Sequence, residues 1–336
     1  MVPKDSNAMK ILIIRRDNIG DLVCTTPLLS ALRKQLPNSQ IDVLSTRYNH
    51  AVLERNPDVD NVYHYTKAKH RSIGESTLHL YWDRLKLIWK LRTNRYDWVL
   101  LPGGKSRSAD RFARWIRPGR IVSQPTATDT ANTHEVEQIS QLLLAANLEY
   151  ETPPATVVAN PQLKAAYANR IKANPGSPCI GIHISARKPS QRWPAENFAE
   201  LIIRLRDRYP ESNFILLWAP GSSSNPEHPG DDEKAEAVLK AAGKTGIHAI
   251  PTRRLDELIA ALSLCDEVIC ADGGGMHLAA GLGKPVVALF GNSSAHHWGP
   301  WGVPHIVLQK PSLEVNDISV TEVADAIEQL HQERHT

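Results

Sequence analysis

Short apolar runs alternate with segments of helical period along most of this 336-residue chain. A run at 10–15 is followed by a tight turn, by leucines at helical spacing, and by a second apolar run at 40–46. This strand–turn–helix–strand order predicts a βαβ unit, the building block of parallel sheets. A later strand is predicted at 96–102, after a basic helix within 67–95. The apolar residues of that helix recur at spacings of three and four: Leu78, Trp82, Leu85 and Trp89.

The same alternation begins again after residues 150–178, which are rich in Pro, Ala and Asn and are interpreted as an extended connector. Four more strands are predicted at 179–185, 213–220, 267–272 and 285–291, and three more helices at 193–210, 254–265 and 319–332. Ser319 and Glu322 form the capping-box pattern at the start of the last helix.

We therefore predict an α/β fold of two successive doubly wound halves. The expected domains are 9–160 and 161–318, followed by a C-terminal helix, 319–336, that packs back toward the first domain. Residues 1–8 resemble an expression-tag remnant and are left out of the fold prediction. Ligands of such sheets bind at the carboxyl ends of the strands, so the expected site lies in a cleft between the halves.

Composition narrows the class of protein. Hydrophobic residues make up 42% and charged residues 22%, as in soluble globular proteins. The sequence contains no run of about 18 apolar residues, so no membrane-spanning helix is expected. The N-terminus lacks the apolar core of a signal peptide. The four cysteines form neither a CxxC pair nor a zinc-spaced cluster, which predicts reduced and mostly buried thiols in a cytoplasmic protein. No cofactor is expected.

Positive charge is concentrated in one segment. Residues 66–120 hold 14 Lys and Arg against four acids, an excess of ten in a chain whose net charge is +3. The rest of the chain therefore has a net charge of −7. An anionic partner is favoured slightly over a merely solvated basic face. Nucleic acid is not expected, because the segment carries no recognised reading motif.

The first candidate site is RRDNIGDLVCTTP, residues 15–27. Gly20 permits a tight turn from strand to helix, and Asp21 then lies at the start of the helix. Helix capping alone explains such an aspartate, and a general base facing the cleft is the alternative. No second and third glycine complete a dinucleotide-binding fingerprint, so such binding is disfavoured in this half.

The second candidate site follows the strand that ends at His183 to Ser185. Its loop carries Arg187, Lys188 and Arg192, cations that can neutralise a phosphate or a departing diphosphate. The alternative is exposed loop charge. The functional interpretation is about even for Lys188 and Arg192, and weaker for Arg187.

The third candidate site is ADGGGMHLAAGLGKPVVALFG, residues 271–291. A strand ends at Asp272, and a glycine cluster leaves backbone N–H groups uncovered before a helix that starts near Met276. A bare helix N-terminus binds anions, and His277 lies in its first turn. A P-loop is excluded, because Lys284 precedes a strand and is followed by Pro285. The alternative is a glycine-rich turn with a core histidine. The cluster consists of Gly273, Gly274 and Gly275.

Together these stretches resemble glycosyltransferase family 9, the bacterial heptosyltransferases. The family pattern is Gly-Asp followed by Thr-Pro, a mid-chain Arg-Trp-Pro after a basic loop, and a late Asp-(Ser/Thr)-Gly-Pro-Met-His. Here they appear as GDLVCTTP, QRWPAENF and ADGGGMHLAAGLGKPVVALFG, and HHWGPWG at 296–302 resembles a downstream segment. The resemblance covers nearly all of residues 9–332, with the motifs in the right order.

The resemblance implies a GT-B fold and inverting, metal-independent transfer of a heptose from ADP-heptose to a phosphorylated lipid A–core glycolipid. Asp21 matches the catalytic base, with Lys188 and Arg192 as helping cations. The implied donor-binding residues are Ser185, Asp232, Asp272, Gly273, Gly274, Gly275, Met276 and His277. The implied acceptor-binding residues are Gly20, Lys105, Arg107, Arg111 and Arg114. We expect a monomer that is cytoplasmic and reaches the inner face of the inner membrane by electrostatics.

Two departures from the family pattern concern the donor. Gln191 stands where many members have Lys, so a cation for the leaving diphosphate is displaced or missing. Gly273 and Gly275 replace the usual hydroxyl residue and proline, which predicts a more flexible turn with one phosphate contact fewer. For Asp232, a solvated helix start is at least as good an interpretation as a ribose contact. An epimerase with the same fold and a non-catalytic sugar-nucleotide-binding protein remain alternatives.

Overall fold

The structure is a computed structural model that describes residues 8–67, 77–104, 106–124, 133–171, 177–224 and 229–333. The chain divides into two compact units, 1–158 and 159–336. The division falls close to the predicted domain boundary, although the predicted limits themselves stay predictions. Within the described ranges, no helix is long and apolar enough to cross a membrane.

The first unit is built on a five-stranded parallel sheet in the order β3-β2-β1-β4-β5. Its strands are β1 (Lys10–Ile14), β2 (Gln40–Thr46), β3 (Asn61–Tyr65), β4 (Trp98–Leu101) and β5 (Arg120–Ser123). Its helices are α1 (Ile19–Val23), α2 (Thr26–Gln35), α3 (Thr77–Thr93), α4 (Arg107–Ile116) and α5 (Glu135–Ala145). Residues 11–14 of β1 are all buried, so the centre of the sheet is covered on both faces.

The second unit has a six-stranded parallel sheet in the order β11-β10-β9-β6-β7-β8. Its strands are β6 (Cys179–His183), β7 (Asn213–Trp218), β8 (Ile247–Pro251), β9 (Glu267–Ala271), β10 (Val286–Phe290) and β11 (His305–Gln309). Its helices are α6 (Pro161–Ile171), α7 (Ala195–Arg208), α8 (Asp232–Ala242), α9 (Leu255–Leu262), α10 (Gly274–Gly281), α11 (Ala295–Trp298) and α12 (Val320–Glu333).

The C-terminal helix α12 is fixed within the second unit. Val323, Ile327 and Leu330, the apolar stripe that the sequence shows, are buried in one core cluster with Ile202 and Leu205 of α7. The predicted capping box is confirmed, since Glu322 Oε2 accepts from the Ser319 amide at 2.9 Å and from its hydroxyl at 2.8 Å. Packing of this helix toward the first domain stays a prediction.

The sequence-based assignment missed all four edge strands, β3, β5, β8 and β11. Each is partly exposed, whereas β1, β6, β9 and β10 are nearly or wholly buried. A strand buried on both faces needs a continuous apolar run, and an edge strand does not, so only the central strands show one. The extended connector at 150–178 was wrong in part, because it contains the helix α6.

Both sheets have a topological switch point, where successive connections leave in opposite directions. It lies between β1 and β4 in the first unit and between β6 and β9 in the second. Ligands of open α/β sheets bind beyond the carboxyl ends of the strands at such points. The residues after β1, β4, β6 and β9 are therefore the first place to look for a site.

Candidate functional site

Asp21 lies on α1, the short helix that follows β1. Its Oδ2 accepts hydrogen bonds from the backbone N–H and the side-chain amide of Asn18, both at 2.9 Å. Its Oδ1 accepts a hydrogen bond of 2.7 Å from Nη2 of Arg15. The aspartate thus does take part in capping the helix, as one interpretation of the sequence predicts. The ion pair with Arg15 goes beyond capping.

Arg15 is buried and joins several segments at the switch point of the first sheet. Its Nη2 also donates to Oε1 of Glu135, the first residue of α5, at 2.7 Å. Its Nη1 donates to the carbonyl of Pro102, directly after β4, at 2.6 Å. Its Nε lies 3.4 Å from Oδ2 of Asp17. Arg15 therefore fixes the carboxylate of Asp21 between the ends of two strands.

The same contacts decide the charge of Asp21. Burial raises the pKa of Asp21, whereas the positive charge of Arg15 and the hydrogen bonds from Asn18 and Arg15 lower it. The lowering effects together are larger, so the pKa lies below its ordinary value. The side chain keeps 13% of its surface exposed. At neutral pH the group is an ionised carboxylate that can still receive a proton from outside.

The sequence analysis did not single out Arg15 or Glu135. A signal for Arg15 existed, because a charged residue that directly follows a wholly apolar strand lies at the ligand-binding edge of the sheet. Glu135 begins a helix that the sequence also encodes, with Val136, Ile139 and Leu142 at helical spacing. Its proximity to Arg15, 120 residues away, depends on the tertiary fold.

The predicted acceptor-binding residues fall on two elements. Arg107, Arg111 and Arg114 lie on one exposed side of α4, at spacings of four and three. Arg16, which follows Arg15, donates to the hydroxyl of Ser108 at 2.9 Å and so ties the start of α4 to the end of β1. Gly20 is buried within α1. Lys105 lies outside the described residues.

Asp272 directly follows β9 at the switch point of the second sheet and is buried. The side-chain amide of Gln191 donates to its Oδ2 at 2.5 Å and to Oγ of Ser293 at 3.1 Å. Burial raises the pKa of Asp272, and contacts with Ser293, Lys188 and Gln191 offset this only in part. The residue that replaces the family lysine therefore binds the acid of the third motif with a neutral amide.

The glycine cluster has two distinct roles at the start of α10. Gly273 has φ +151°, a conformation that other residues rarely adopt, and a Cβ there would meet open space. At Gly275 a Cβ would lie 2.9 Å from Cε1 and from Nδ1 of His183. Gly275 thus leaves room for a buried imidazole. The predicted flexibility of the turn stays a prediction.

His277 and Met276 point into the protein. Both side chains are buried, and the ring of His277 meets that of Trp298 edge to face with centroids 6.1 Å apart. What the turn offers an anion is therefore mainly its backbone N–H groups and the helix dipole. His277 is therefore buried, as the alternative interpretation of a core histidine predicted.

The predicted cations and Ser185 lie on the loop after β6. Lys188 is exposed, with Nζ 3.5 Å from Oγ of Ser293, and Arg192 donates from Nε to the carbonyl of Ala186 at 3.0 Å. Oγ of Ser185 accepts from the Ala219 amide at 2.9 Å, linking this loop to the one after β7. Arg187 is exposed, as loop charge would be.

Asp232 lies at the start of α8, and both of its oxygens are engaged within the unit. Oδ1 accepts from the indole N–H of Trp218 at 2.7 Å, and Oδ2 from the backbone of Gly221 at 2.9 Å. These bonds fit the helix-start interpretation. A ribose contact stays a prediction.

Lys234 and His183 are two titratable residues at this edge that sequence reasoning missed, of which His183 is buried and Lys234 is half-buried. Burial lowers the pKa of Lys234 to about 8, and its Nζ donates to the carbonyl of Ile184 at 2.9 Å and lies 4.9 Å from the ring centre of Phe198. Burial, helped by the charge of Lys234, lowers the pKa of His183 to about 4. Charged residues with shifted pKa values cluster at functional sites. The sequence DDEKAEAV resembles an ordinary solvated helix and gave no such signal.

Cys24, Cys179, Cys265 and Cys270 are all buried free thiols, whereas the cytoplasmic setting stays a prediction. Among the residues that the structure describes, no three His, Cys, Asp or Glu side chains come together as possible metal ligands. Metal-independent chemistry stays a prediction.

Comparison with known proteins bears on the same residues. Positions 84–323 match the sequence model of glycosyltransferase family 9 (heptosyltransferase). Lipopolysaccharide heptosyltransferase 2 of Escherichia coli K12 is 27% identical over 306 residues, covering 85% of this chain and 84% of the relative.

Two solved structures share the fold. The glycosyl transferase family 9 protein of Veillonella parvula DSM 2008 superposes with a TM-score of 0.81 at 22% identity, covering 98% of this chain and 100% of that one. E. coli ADP-heptose LPS heptosyltransferase II superposes with a TM-score of 0.78 at 22% identity and the same coverage. These likenesses confirm the predicted GT-B fold of two Rossmann-like α/β domains. Since the matched segment spans well over half of the sequence and contains two of the three motifs, this chain belongs to glycosyltransferase family 9, the heptosyltransferase family.

Proposed function

We propose that the chain transfers a heptose from ADP-heptose to an anionic inner-core acceptor of lipopolysaccharide, with inversion and with Asp21 as general base. The observation that carries the proposal is the state of Asp21. It is ionised, partly exposed and held at the switch point of the first sheet by Arg15 and Asn18. A carboxylate so placed suits proton abstraction from an acceptor hydroxyl.

In the proposed reaction the acceptor oxygen attacks the anomeric carbon while Asp21 takes its proton. The bond between that carbon and the diphosphate oxygen breaks, and ADP leaves with the electron pair. Attack opposite the leaving group inverts the anomeric centre. Because Arg15 and Asn18 hold one oxygen each, the carboxylate is fixed before the acceptor arrives, which reduces the entropic cost of reaching the transition state.

The donor is proposed to bind beyond β6 and β9. The backbone amides at the start of α10, Gly273 to Gly275, are proposed to face the diphosphate, with Asp272, Met276 and His277 supporting the turn. Gln191 is neutral and bonded to Asp272, so it supplies no charge to the leaving group. Lys188 and Arg192 are the cations proposed to stabilise the departing ADP. Ser185 and Asp232 complete the proposed donor set.

The acceptor is proposed to bind the first unit, where Arg107, Arg111 and Arg114 would pair with phosphates of the lipid A–core. Lys105 and Gly20 belong to the same proposed set. Neutralising the three arginines together should weaken acceptor binding but leave ADP binding unchanged. Equal loss of acceptor binding and ADP binding, with the fold intact, would count against the assignment.

The protein is proposed to act as a cytoplasmic monomer, without a metal, at the inner face of the inner membrane.

The testing experiment has two steps. Calorimetric titration with ADP, UDP, GDP and CDP should show a clear preference for ADP. ADP-heptose should then be consumed only in the presence of a truncated lipopolysaccharide, whose mass increases by one heptose. A change in the sugar nucleotide without any acceptor would indicate an epimerase instead. ADP binding with no transfer to any core acceptor would indicate a non-catalytic binding protein.

A further inference from the structure

Helix α3 carries two apolar stripes, and the described residues cover only one of them. Ile88 and Leu91 are buried in a core cluster with Phe112 and Ala113 of α4, and Leu87 packs against the same cluster. This stripe joins the helix to the first unit. It differs from the stripe that the sequence analysis identified, which contains Trp82, Leu85 and Trp89.

The other stripe, Trp82, Leu85 and Trp89, faces outward. The exposed fractions of these residues are 59%, 56% and 70%, and that of the neighbouring Tyr81 is 58%. Spacings of three and four place them along one side of the helix. Large apolar side chains exposed singly are normal, but a continuous stripe of them marks an interaction surface.

Basic residues border the stripe. The helix contains Arg84, Lys86, Lys90 and Arg92 against a single acid, Asp83. The ammonium of Lys86 lies 6.0 Å from the ring centre of Trp82, and Lys86 and Lys90 are both exposed. Asp83 contacts His79 and Lys86 within the helix at 3.2 and 3.9 Å, so it offsets only part of this charge.

The adjacent helix α4 repeats the same pairing. Trp115 is 48% exposed, and the guanidinium of Arg111 lies 5.7 Å from its ring centre. Tryptophan and tyrosine favour the interfacial region of lipid bilayers, where the ring is partly apolar and partly hydrated. Lysine and arginine beside them are attracted to anionic headgroups.

We propose that the α3 surface, comprising Tyr81, Trp82, Leu85, Lys86, Trp89 and Lys90, docks the protein onto an anionic lipid bilayer. The aromatic rings enter the headgroup region while the two lysines remain at the level of the lipid phosphates. A second copy of the chain is a poorer occupant, because like charges would then face each other. The inference deepens the membrane location in the proposed function, but it requires neither a donor nor a catalytic base.

The test is sedimentation of the full chain with sucrose-loaded vesicles, either pure phosphatidylcholine or 7:3 phosphatidylcholine:phosphatidylglycerol. The wild type should bind the anionic vesicles and bind neutral ones much less. Trp82→Ala/Trp89→Ala removes the two exposed indoles that are proposed to enter the headgroup region, and it should lower the partition coefficient roughly tenfold or more. Lys86→Gln/Lys90→Gln should lower it several-fold at low salt and less at high salt.

Matched variants control for each change. Tyr150→Ala removes an exposed aromatic residue elsewhere in the first unit, and Lys240→Gln/Lys244→Gln removes two exposed lysines of the second unit. Both should bind vesicles as the wild type does. Unchanged binding by the tryptophan variant, or no binding by the wild type, overturns the proposal. So does a tryptophan variant that loses only self-association, measured by light scattering without lipid. An unchanged circular dichroism spectrum and urea midpoint of every variant report an intact fold.

Discussion

Asp21 and Asp272 follow the switch-point strands of the two sheets, yet their surroundings shift their pKa values in opposite directions. Asp21 is paired with the buried cation of Arg15, and its pKa is lowered. Asp272 receives the neutral amide of Gln191, and burial raises its pKa. Pairs of acids separated in this way often divide the chemistry between them. This difference is consistent with the proposed function, in which Asp21 takes the proton and the turn after Asp272 binds the diphosphate.

The largest expected effect tests the assignment of the base. Asp21→Asn keeps the size of the side chain and removes its ability to take a proton, so transfer should fall by about 10²–10⁴-fold. ADP affinity, measured by calorimetry, should stay unchanged. Asp17→Asn is the matched control, because Asp17 also lies beside Arg15 but keeps 49% of its side chain exposed. Its transfer rate should stay within a few-fold of the wild type. Normal turnover by Asp21→Asn would remove the aspartate from the mechanism.

The same substitution at the two acids should change stability in opposite directions. Asp21→Asn weakens an ion pair and should lower the free energy of unfolding at pH 7 by about 1–3 kcal/mol. Asp272→Asn removes a buried charge while its amide oxygen can still accept from Gln191, so stability should rise by roughly 1 kcal/mol.

The pH dependence of these two effects differs in sign. The lowered pKa of Asp21 gives stability that is present above the ordinary value of 3.8 and is lost as the pH falls through the folded value. The raised pKa of Asp272 makes its contribution greatest below 3.8, and this contribution is lost as the pH rises through the folded value. Urea denaturation of the wild type and both variants between pH 3 and 7 measures how each stability change depends on pH. Stability changes of the same sign for the two variants would contradict the opposite pKa shifts.

The glycine turn gives a third test, confined to the second unit. Gly275→Ala places a methyl group against His183 and should lower the free energy of unfolding by about 1–3 kcal/mol. In a His183→Ala background the ring is absent, so the same change should cost much less. A double-mutant cycle by urea denaturation measures this coupling. Additive costs would show that the imidazole does not set the requirement for glycine.

The smallest effect concerns Lys234. With its pKa at about 8 rather than 10.5, the charged form is disfavoured by folding, so Lys234→Met should raise stability at pH 7 by roughly 1 kcal/mol. As the pH rises from 8 to 10.5 the wild type loses this cost, and the difference between the proteins should shrink. Lys240→Met, at an exposed position of the same helix, is the control. A gain that does not depend on pH would contradict a buried ammonium.

Much of the fold could be predicted because central strands and helices have short-range patterns. The run KILIIR gave β1, and Ser319 with Glu322 gave the start of α12. The edge strands escaped because a partly exposed strand needs no continuous apolar run. The helices α4, α5 and α6 were also not predicted from the sequence. The exposed stripe on α3 shows the opposite limit. Spacing predicted the helix correctly. The helix has two apolar stripes, however, and only the tertiary packing shows that Ile88 and Leu91 are the buried ones.

The sequence by itself determined two α/β halves, the order of three motifs and the place of Asp21, Asp272 and the glycines relative to their strands. These depend on residues close together in the chain. Only the tertiary structure decided that Arg15 joins Asp21 to Glu135, that Gln191 bonds Asp272, and that His183 occupies the space beside Gly275. Partners so far apart in sequence meet only when parallel strands align their carboxyl ends. The resulting burial then sets the pKa of each group.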